Sequence, residues 1–281
     1  MHVSVLGMGR MGRAVAGRLV EGGHDVVVWN RTPGRAGDAV AAGAREAGDL
    51  AAAVAGAEVV LTLLSDDAAV RDVVIGSGLA DLVGRGTLCV DSSTVSPTLA
   101  DELAGTFEHF VAMPVLGSPE AVRTGQATYL LGGDHDLVAR LEPVVASLSD
   151  RSVVFGRPGL ALAAKLASNL VLLTGIASLA EAFAVGRAGG LTEDDLRRLL
   201  GESPLVAPGL RNRFEAVLTG GNPGWWTTVL GRKDAGLAVD LAASDDVALR
   251  MGAAARDAFD AAAAAGLADA DIATVARLFR H

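Results

Sequence analysis

Apolar positions change their period once, and the change divides the chain. Up to Phe155 they come mostly as short continuous runs, each closed by glycine or a helix-capping residue. Val3–Leu6, Asp25–Trp29, Val59–Leu64, Thr87–Val90, His109–Val115, Thr128–Leu131 and Ser152–Phe155 read as strands. Runs apolar at nearly every position fit parallel strands covered on both faces. Between them lie stripes of helical period: Met11, Ala14, Val15, Leu19 and Val20 in one, Val70, Val73 and Val74 in another, Leu137, Leu141, Val144, Val145 and Leu148 in a third. From Gly159 the strand-like runs vanish. Gly159–Arg187 contains no proline and predicts one long helix, with further helices from Thr192 and over Arg211–Thr219, Val229–Ala243, Ala248–Ala265 and Asp271–Phe279. The pattern predicts an alternating α/β half and an all-helical half. The boundary falls near Gly156–Pro158, giving domains 1–157 and 158–281.

Composition narrows the picture. The 281 residues are 51% apolar and 20% charged, which fits a globular chain with a substantial core. The net charge of −9 and the lack of a Lys/Arg run argue against nucleic acid as the main partner. No stretch reads as a membrane span or a signal peptide. The single cysteine, Cys89, excludes an intrachain disulfide and makes a reducing cytoplasm the simplest home. It sits in an apolar run and reads as a small buried hydrophobe. The five histidines, at 2, 24, 109, 135 and 281, show no ligand spacing, so no catalytic metal is expected.

The first chemical signal is G-x-G-x-x-G where the first strand turns into a helix: Gly7, Met8, Gly9, Arg10, Met11, Gly12. In that setting the first glycine permits the tight turn and the second lets backbone approach a pyrophosphate. The third lets helix and strand pack closely. The helix N-terminus offers its free N–H groups to the anion. The second strand ends in Asn30-Arg31-Thr32, with no carboxylate to hold a ribose 2′-hydroxyl. A guanidinium there suits the 2′-phosphate, so NADP(H) is expected over NAD(H), with NADPH preferred. Arg31 also reads as a solvated residue ahead of a Thr32-Pro33 helix start, and the two readings are compatible. Leu63, Leu64 and Ser65, at the end of the third run, are cofactor-side candidates and equally a strand end with its cap. Ser93 and Thr94 follow the fourth run; Leu116-Gly117-Ser118 follows the fifth.

Two polar spots interrupt the helical half. Lys165 and Asn169 are four residues apart, hence on one helix face, amid Leu162, Ala163, Leu166 and Leu170. Buried lysine needs a partner or a purpose, and a snorkelling stem is the alternative. Arg232-Lys233-Asp234 by itself reads as a solvated charge cluster.

At these residues the chain resembles the β-hydroxyacid dehydrogenase family, which includes 3-hydroxyisobutyrate dehydrogenases and glyoxylate/succinic semialdehyde reductases. VLGMGRMG with the later NRT, DSSTVSP, MPVLGSP, GLALAAKLASNL and GRKDAGLA match in order across nearly the whole chain. The resemblance implies an α/β Rossmann-type N-terminal domain and an all-α C-terminal domain joined by a long helix. It implies hydride transfer between nicotinamide and the carbonyl or hydroxyl carbon of a small substrate. Lys165 matches the proton donor and Asn169 the amide that holds lysine or substrate. Thr94 falls in the block that approaches nicotinamide, Lys233 and Asp234 match a pair near the cofactor and active-site mouth, and Trp226 falls at a substrate-lining aromatic. Homodimers or homotetramers through the helical domain are also implied. One departure stands out. The family's Ser-Gly-Gly loop, which grips a carboxylate, is here Leu116-Gly117-Ser118. This departure keeps an imine reductase of the same architecture as the alternative, and a non-catalytic NADP-binding module as a second.

Overall fold

The computed structural model describes residues 1–280; His281 lies outside the described residues. The described chain divides into two compact units, with the division at Lys165–Leu166.

The first unit is built on nine strands: β1 (His2–Leu6), β2 (Asp25–Trp29), β3 (Arg45–Glu46), β4 (Val59–Thr62), β5 (Leu88–Asp91), β6 (Phe110–Ala112), β7 (Val115–Leu116), β8 (Thr128–Gly132) and β9 (Ser152–Phe155). They form one sheet in the order β3-β2-β1-β4-β5-β6-β8-β7, with β9 on β8. The pairs from β3 to β6 are parallel; β8 runs antiparallel to β6 and β7 and parallel to β9. Helices α1 (Arg10–Glu21), α2 (Gly37–Ala41), α3 (Leu50–Val54), α4 (Asp67–Val70), α5 (Leu79–Leu82), α6 (Pro97–Thr106), α7 (Pro119–Arg123) and α8 (His135–Leu148) connect them. Two apolar cores flank the sheet. Val3, Val5, Val15, Leu19, Val28 and Leu61 belong to one; Leu6, Val27, Val60, Cys89 and Leu99 to the other. Residues alternating along β1 thus serve opposite faces, the period-two rule of a strand.

The expected strands are all present, with instructive differences. Beta-strand 59–64 stops at Thr62. His109–Val115 is two strands rather than one, because Pro114 cannot continue the ladder between β6 and β7. The short edge strand β3 was not expected. Thr32-Pro33 opens a turn, and α2 begins only at Gly37.

The second unit is helical. α9 (Pro158–Ala188), which begins in the first unit, is 31 residues long. It is followed by α10 (Glu193–Leu200), α11 (Pro208–Thr219), α12 (Thr228–Ala243) and α13 (Arg250–Ala262). The expected Ala248–Ala265 helix ends at Ala262 and continues as π-helix over Ala263–Leu267; Ile272–Phe279 is 3-10 rather than α-helix. Leu173, Ile176, Phe183, Phe214, Val217, Phe259 and Ile272 form the core. By length and composition α9 is apolar enough to cross a membrane, its best window averaging a hydropathy of 1.7. Its all-round apolar surface has a local cause: Leu162 packs in the first unit's core, and Leu173, Ile176, Ala180 and Phe183 in the second's.

Candidate active site

Four adjacent parallel strands, β2, β1, β4 and β5, bring their carboxyl ends to one edge of the first unit. This is where ligands lie in open α/β sheets. The glycine turn follows β1. Gly7 has φ +104°, closed to most side chains, and a Cβ there would collide with the Leu63 carbonyl. A Cβ on Gly12 would collide with the Gly7 carbonyl, so α1 packs directly on the turn. Gly9 meets nothing within 4 Å of where its Cβ would be. No side chain caps α1, whose first amides lack intrahelical acceptors. Backbone donors facing open space fit the pyrophosphate of a dinucleotide.

The turn is held from the side by Asn30. Its Oδ1 accepts from Met8 N at 2.9 Å and its Nδ2 donates to Thr32 O at 2.8 Å. Met8 is buried; Arg10 is exposed and Met11 half-buried. Arg31 is exposed at the end of β2, and its Nη1 donates to Asp72 Oδ2 at 2.5 Å.

The ends of β4 and β5 are knitted together. Leu63 N donates to Leu6 O at 2.9 Å, and Leu64 N to Ser93 Oγ at 2.9 Å. Ser93 Oγ and Thr62 Oγ1 each donate to Asp91 Oδ1 at 2.6 Å. Burial pushes the Asp91 carboxyl above its usual range, against the pull of those hydroxyl donors. Ser65 is exposed and donates to Asp66 Oδ2; Thr94 is half-buried. The Asp91 network was missed in the sequence. Its members belong to different strands, and only Asp91 closing an apolar run hinted at it.

Lys165 is buried, 9% exposed, and its Nζ donates to Val115 O at 2.7 Å. This rules out a snorkelling stem and places the ammonium one residue before Leu116-Gly117-Ser118. Gly117 has φ +149°, and a Cβ there would crowd Ala121 and Ala127 at 3.1 and 3.2 Å. Ser118 caps α7, its Oγ accepting from Ala121 N at 3.1 Å. Its hydroxyl proton is not used by that bond. Leu116 is half-buried.

In the second unit Asn169 is buried, and its Nδ2 donates to Asp234 Oδ2 at 2.9 Å. Lys233 Nζ pairs with Asp234 Oδ1 at 2.9 Å. Asp234 is 4% exposed, so this part of α12 is a buried network and not a solvated cluster. Trp226 is half-buried against the helical core. Arg213 and Asp271 beneath it went unseen in the sequence, since 58 residues separate them. Cys89 is buried, and burial pushes its thiol up to about 12, so it stays protonated and unreactive. Among the described residues no group of three or more His, Cys, Asp or Glu could hold a metal.

Comparisons with known proteins agree with this geometry. The model of the NAD-binding domain of 6-phosphogluconate dehydrogenase matches residues 2–156. That of the NAD-binding region of NADP-dependent 3-hydroxyisobutyrate dehydrogenase matches 159–279. Glyoxylate/succinic semialdehyde reductase 1 of Arabidopsis thaliana is 29% identical over 280 residues, covering 98% of this chain and 97% of its own. A solved 3-hydroxyisobutyrate dehydrogenase of Mycobacterium tuberculosis with L-serine superposes with TM-score 0.86 at 28% identity, covering 100% and 99% of the two chains. An imine reductase of Streptomyces aurantiacus shares the fold, with TM-score 0.66 at 24% identity and 100% of each chain covered. With both models matched in order over nearly the whole chain, the chain belongs to the β-hydroxyacid dehydrogenase family of NAD(P)-binding oxidoreductases.

Proposed function

We propose that this protein is an NADPH-dependent reductase, or dehydrogenase in the reverse direction, of a small carbonyl or hydroxy compound, with Lys165 as proton donor and acceptor. The observation that carries this reading is the buried Lys165 ammonium on Val115 O, beside a loop of exposed backbone chemistry. A bound nicotinamide supplies the hydride. The chain's own task is to meet the charge that develops on the substrate oxygen. A preorganised ammonium does so and hands over a proton without solvent reorganisation.

We assign the other roles by the family resemblance. Gly7–Gly12, Asn30–Thr32, Leu63–Ser65 and Thr94 hold the cofactor, with Arg31 on the 2′-phosphate and Lys233 toward the same cofactor. Asn169 orients the reacting group and is itself held by Asp234. Gly117 N–H and the Ser118 hydroxyl grip a substrate carboxylate, while Leu116 and Trp226 add apolar surface. The L-serine in the mycobacterial relative, a small hydroxylated carboxylate, supports that substrate class. A lysine proton donor suits a carbonyl or alcohol better than an imine, which weighs against the alternative chemistry.

NADPH oxidation is the test, with glyoxylate, succinic semialdehyde, larger ketones and cyclic imines as the panel. A carbonyl compound is turned over, and Lys165→Ala lowers kcat at least about a hundredfold, the usual size of a lost general acid. NADPH affinity stays nearly intact. Turnover of imines alone, unaffected by Lys165→Ala, overturns the lysine assignment. Binding of NADPH with no turnover on any member favours a non-catalytic module.

A further inference from the structure

Arg31 is already engaged. Its partner Asp72 lies 41 residues away, in the π-helical stretch Arg71–Gly76 that continues α4. Both side chains are well exposed, at 68% and 60%. The cation next to Asp72 in sequence is spent elsewhere, since Arg71 Nη1 donates to Glu102 Oε1 at 2.7 Å. Asp72 therefore acts on Arg31.

We propose that Asp72 is a built-in competitor for the 2′-phosphate of NADPH and so sets how strongly the protein discriminates NADPH from NADH. The inference rests on the reading that Arg31 receives that phosphate. A guanidinium has five donors in a planar fork, and Asp72 Oδ2 accepts from one of its terminal nitrogens, Nη1. A phosphate arriving at the same fork must displace the carboxylate or sit beside it. Either course opposes binding: the first breaks an ion pair, the second places like charges a few ångströms apart. Exposed pairs are weak and screened, so the phosphate, with its larger charge, prevails at a cost. NADH carries no 2′-phosphate and meets neither penalty. Asp72 thus lowers affinity for one cofactor only.

Binding alone tests this, with no turnover needed. NADPH and NADH are titrated by fluorescence into the wild-type protein, Asp72→Asn and Arg31→Gln, at about 20 mM and about 150 mM salt to vary screening. In Asp72→Asn the Kd for NADPH falls roughly three- to tenfold at low salt, and less at high salt, while that for NADH stays within about twofold. In Arg31→Gln the Kd for NADPH rises about tenfold or more, as loss of a charge-assisted phosphate contact requires. If Arg31→Gln weakens NADPH and Asp72→Asn leaves it unchanged or weaker, Asp72 is no competitor and the inference fails alone. An equal gain for NADH in Asp72→Asn overturns it as well. If Arg31→Gln does not change NADPH binding, the phosphate reading itself falls, and the inference with it. Both positions are exposed, and far-ultraviolet circular dichroism checks that the variants are folded.

Discussion

Two buried aspartates, Asp91 in the sheet unit and Asp271 in the helical unit, each sit at the centre of a polar network, and the two are satisfied by opposite means. Asp91, in the sheet unit, is 2% exposed and takes only neutral donors, all on Oδ1: the hydroxyls of Thr62 and Ser93 and the Ser93 amide. Oδ2 is buried with no hydrogen-bond donor among the described residues. Asp271, in the helical unit, is 0% exposed and takes a cation with amides on both oxygens. Arg213 Nε and Ala273 N reach Oδ1 at 3.0 Å, and Trp225 N and Trp226 N reach Oδ2 at 3.2 and 3.1 Å. Neutral donors compensate burial only partly, so Asp91 keeps a proton more readily than an exposed carboxyl. A charge partner and three backbone N–H donors lock Asp271 in place. The first network hands its geometry, through Ser93 Oγ, to the Leu64 amide just beyond the carboxyl end of β4. The second anchors the Trp225–Trp226 segment to the final helix.

The largest effect that separates the two is Asp271→Asn. It leaves the Arg213 guanidinium, fully buried, without a counter-charge and turns an amide NH2 toward backbone donors. Breaking a buried pair from one side costs about 3–5 kcal/mol. Urea unfolding followed by tryptophan emission in a Trp29→Phe background, where only Trp225 and Trp226 report, should show that loss. A cost below about 1 kcal/mol would mean that Asp271 is no better anchored than Asp91.

Next in size is the aromatic floor of the same network. Arg213 Cζ lies 3.4 Å from the centroid of the Trp225 ring. A desolvated cation over an indole is worth about 2 kcal/mol. Trp225→Leu should cost about that much and leave the pairing with Asp271 in place. If Trp225→Phe loses as much as Trp225→Leu, a generic aromatic face is not what the guanidinium needs, and the comparison rests on the ion pair alone.

What the sequence makes legible follows from the range of each interaction. The glycine turn is legible because Gly7, Gly9 and Gly12 have separate backbone duties within one short segment. Lys165 stands out because it is the lone cation between Gly159 and Gly186 in an apolar helical run, and such a run predicts its own burial. Beta-strand Arg45–Glu46 carries no such signal: both residues are exposed, and the strand exists only because Val27 and Val28 pair with it. Asp72 reads as one of many surface acids until the fold brings Arg31 to it. Asp91 and Asp271 become hubs only through Thr62 and Arg213, 29 and 58 residues away. Apolar periodicity marks faces and lengths, and it is silent about which polar groups meet across a core.

The smallest predicted effect is the sharpest probe of the comparison, because it isolates the proton. The folded-state Asp91 carboxyl titrates above its ordinary 3.8, with desolvation as the main cause. Below that value both folded and unfolded chains hold the proton, and the group is neutral to stability. As pH rises the unfolded chain ionises first, so the folded state binds more protons and loses stability until it ionises too. Asp91→Asn keeps the Oδ1 acceptor and removes the charge. Its stability at neutral pH should match or exceed that of the wild type, within about 1 kcal/mol. Urea midpoints from about pH 4 to about pH 7 should show the wild type declining relative to the variant, since other carboxylates contribute equally to both. Parallel profiles would mean that Thr62 and Ser93 compensate the Asp91 charge in full, and the contrast with Asp271 would reduce to one of donors alone.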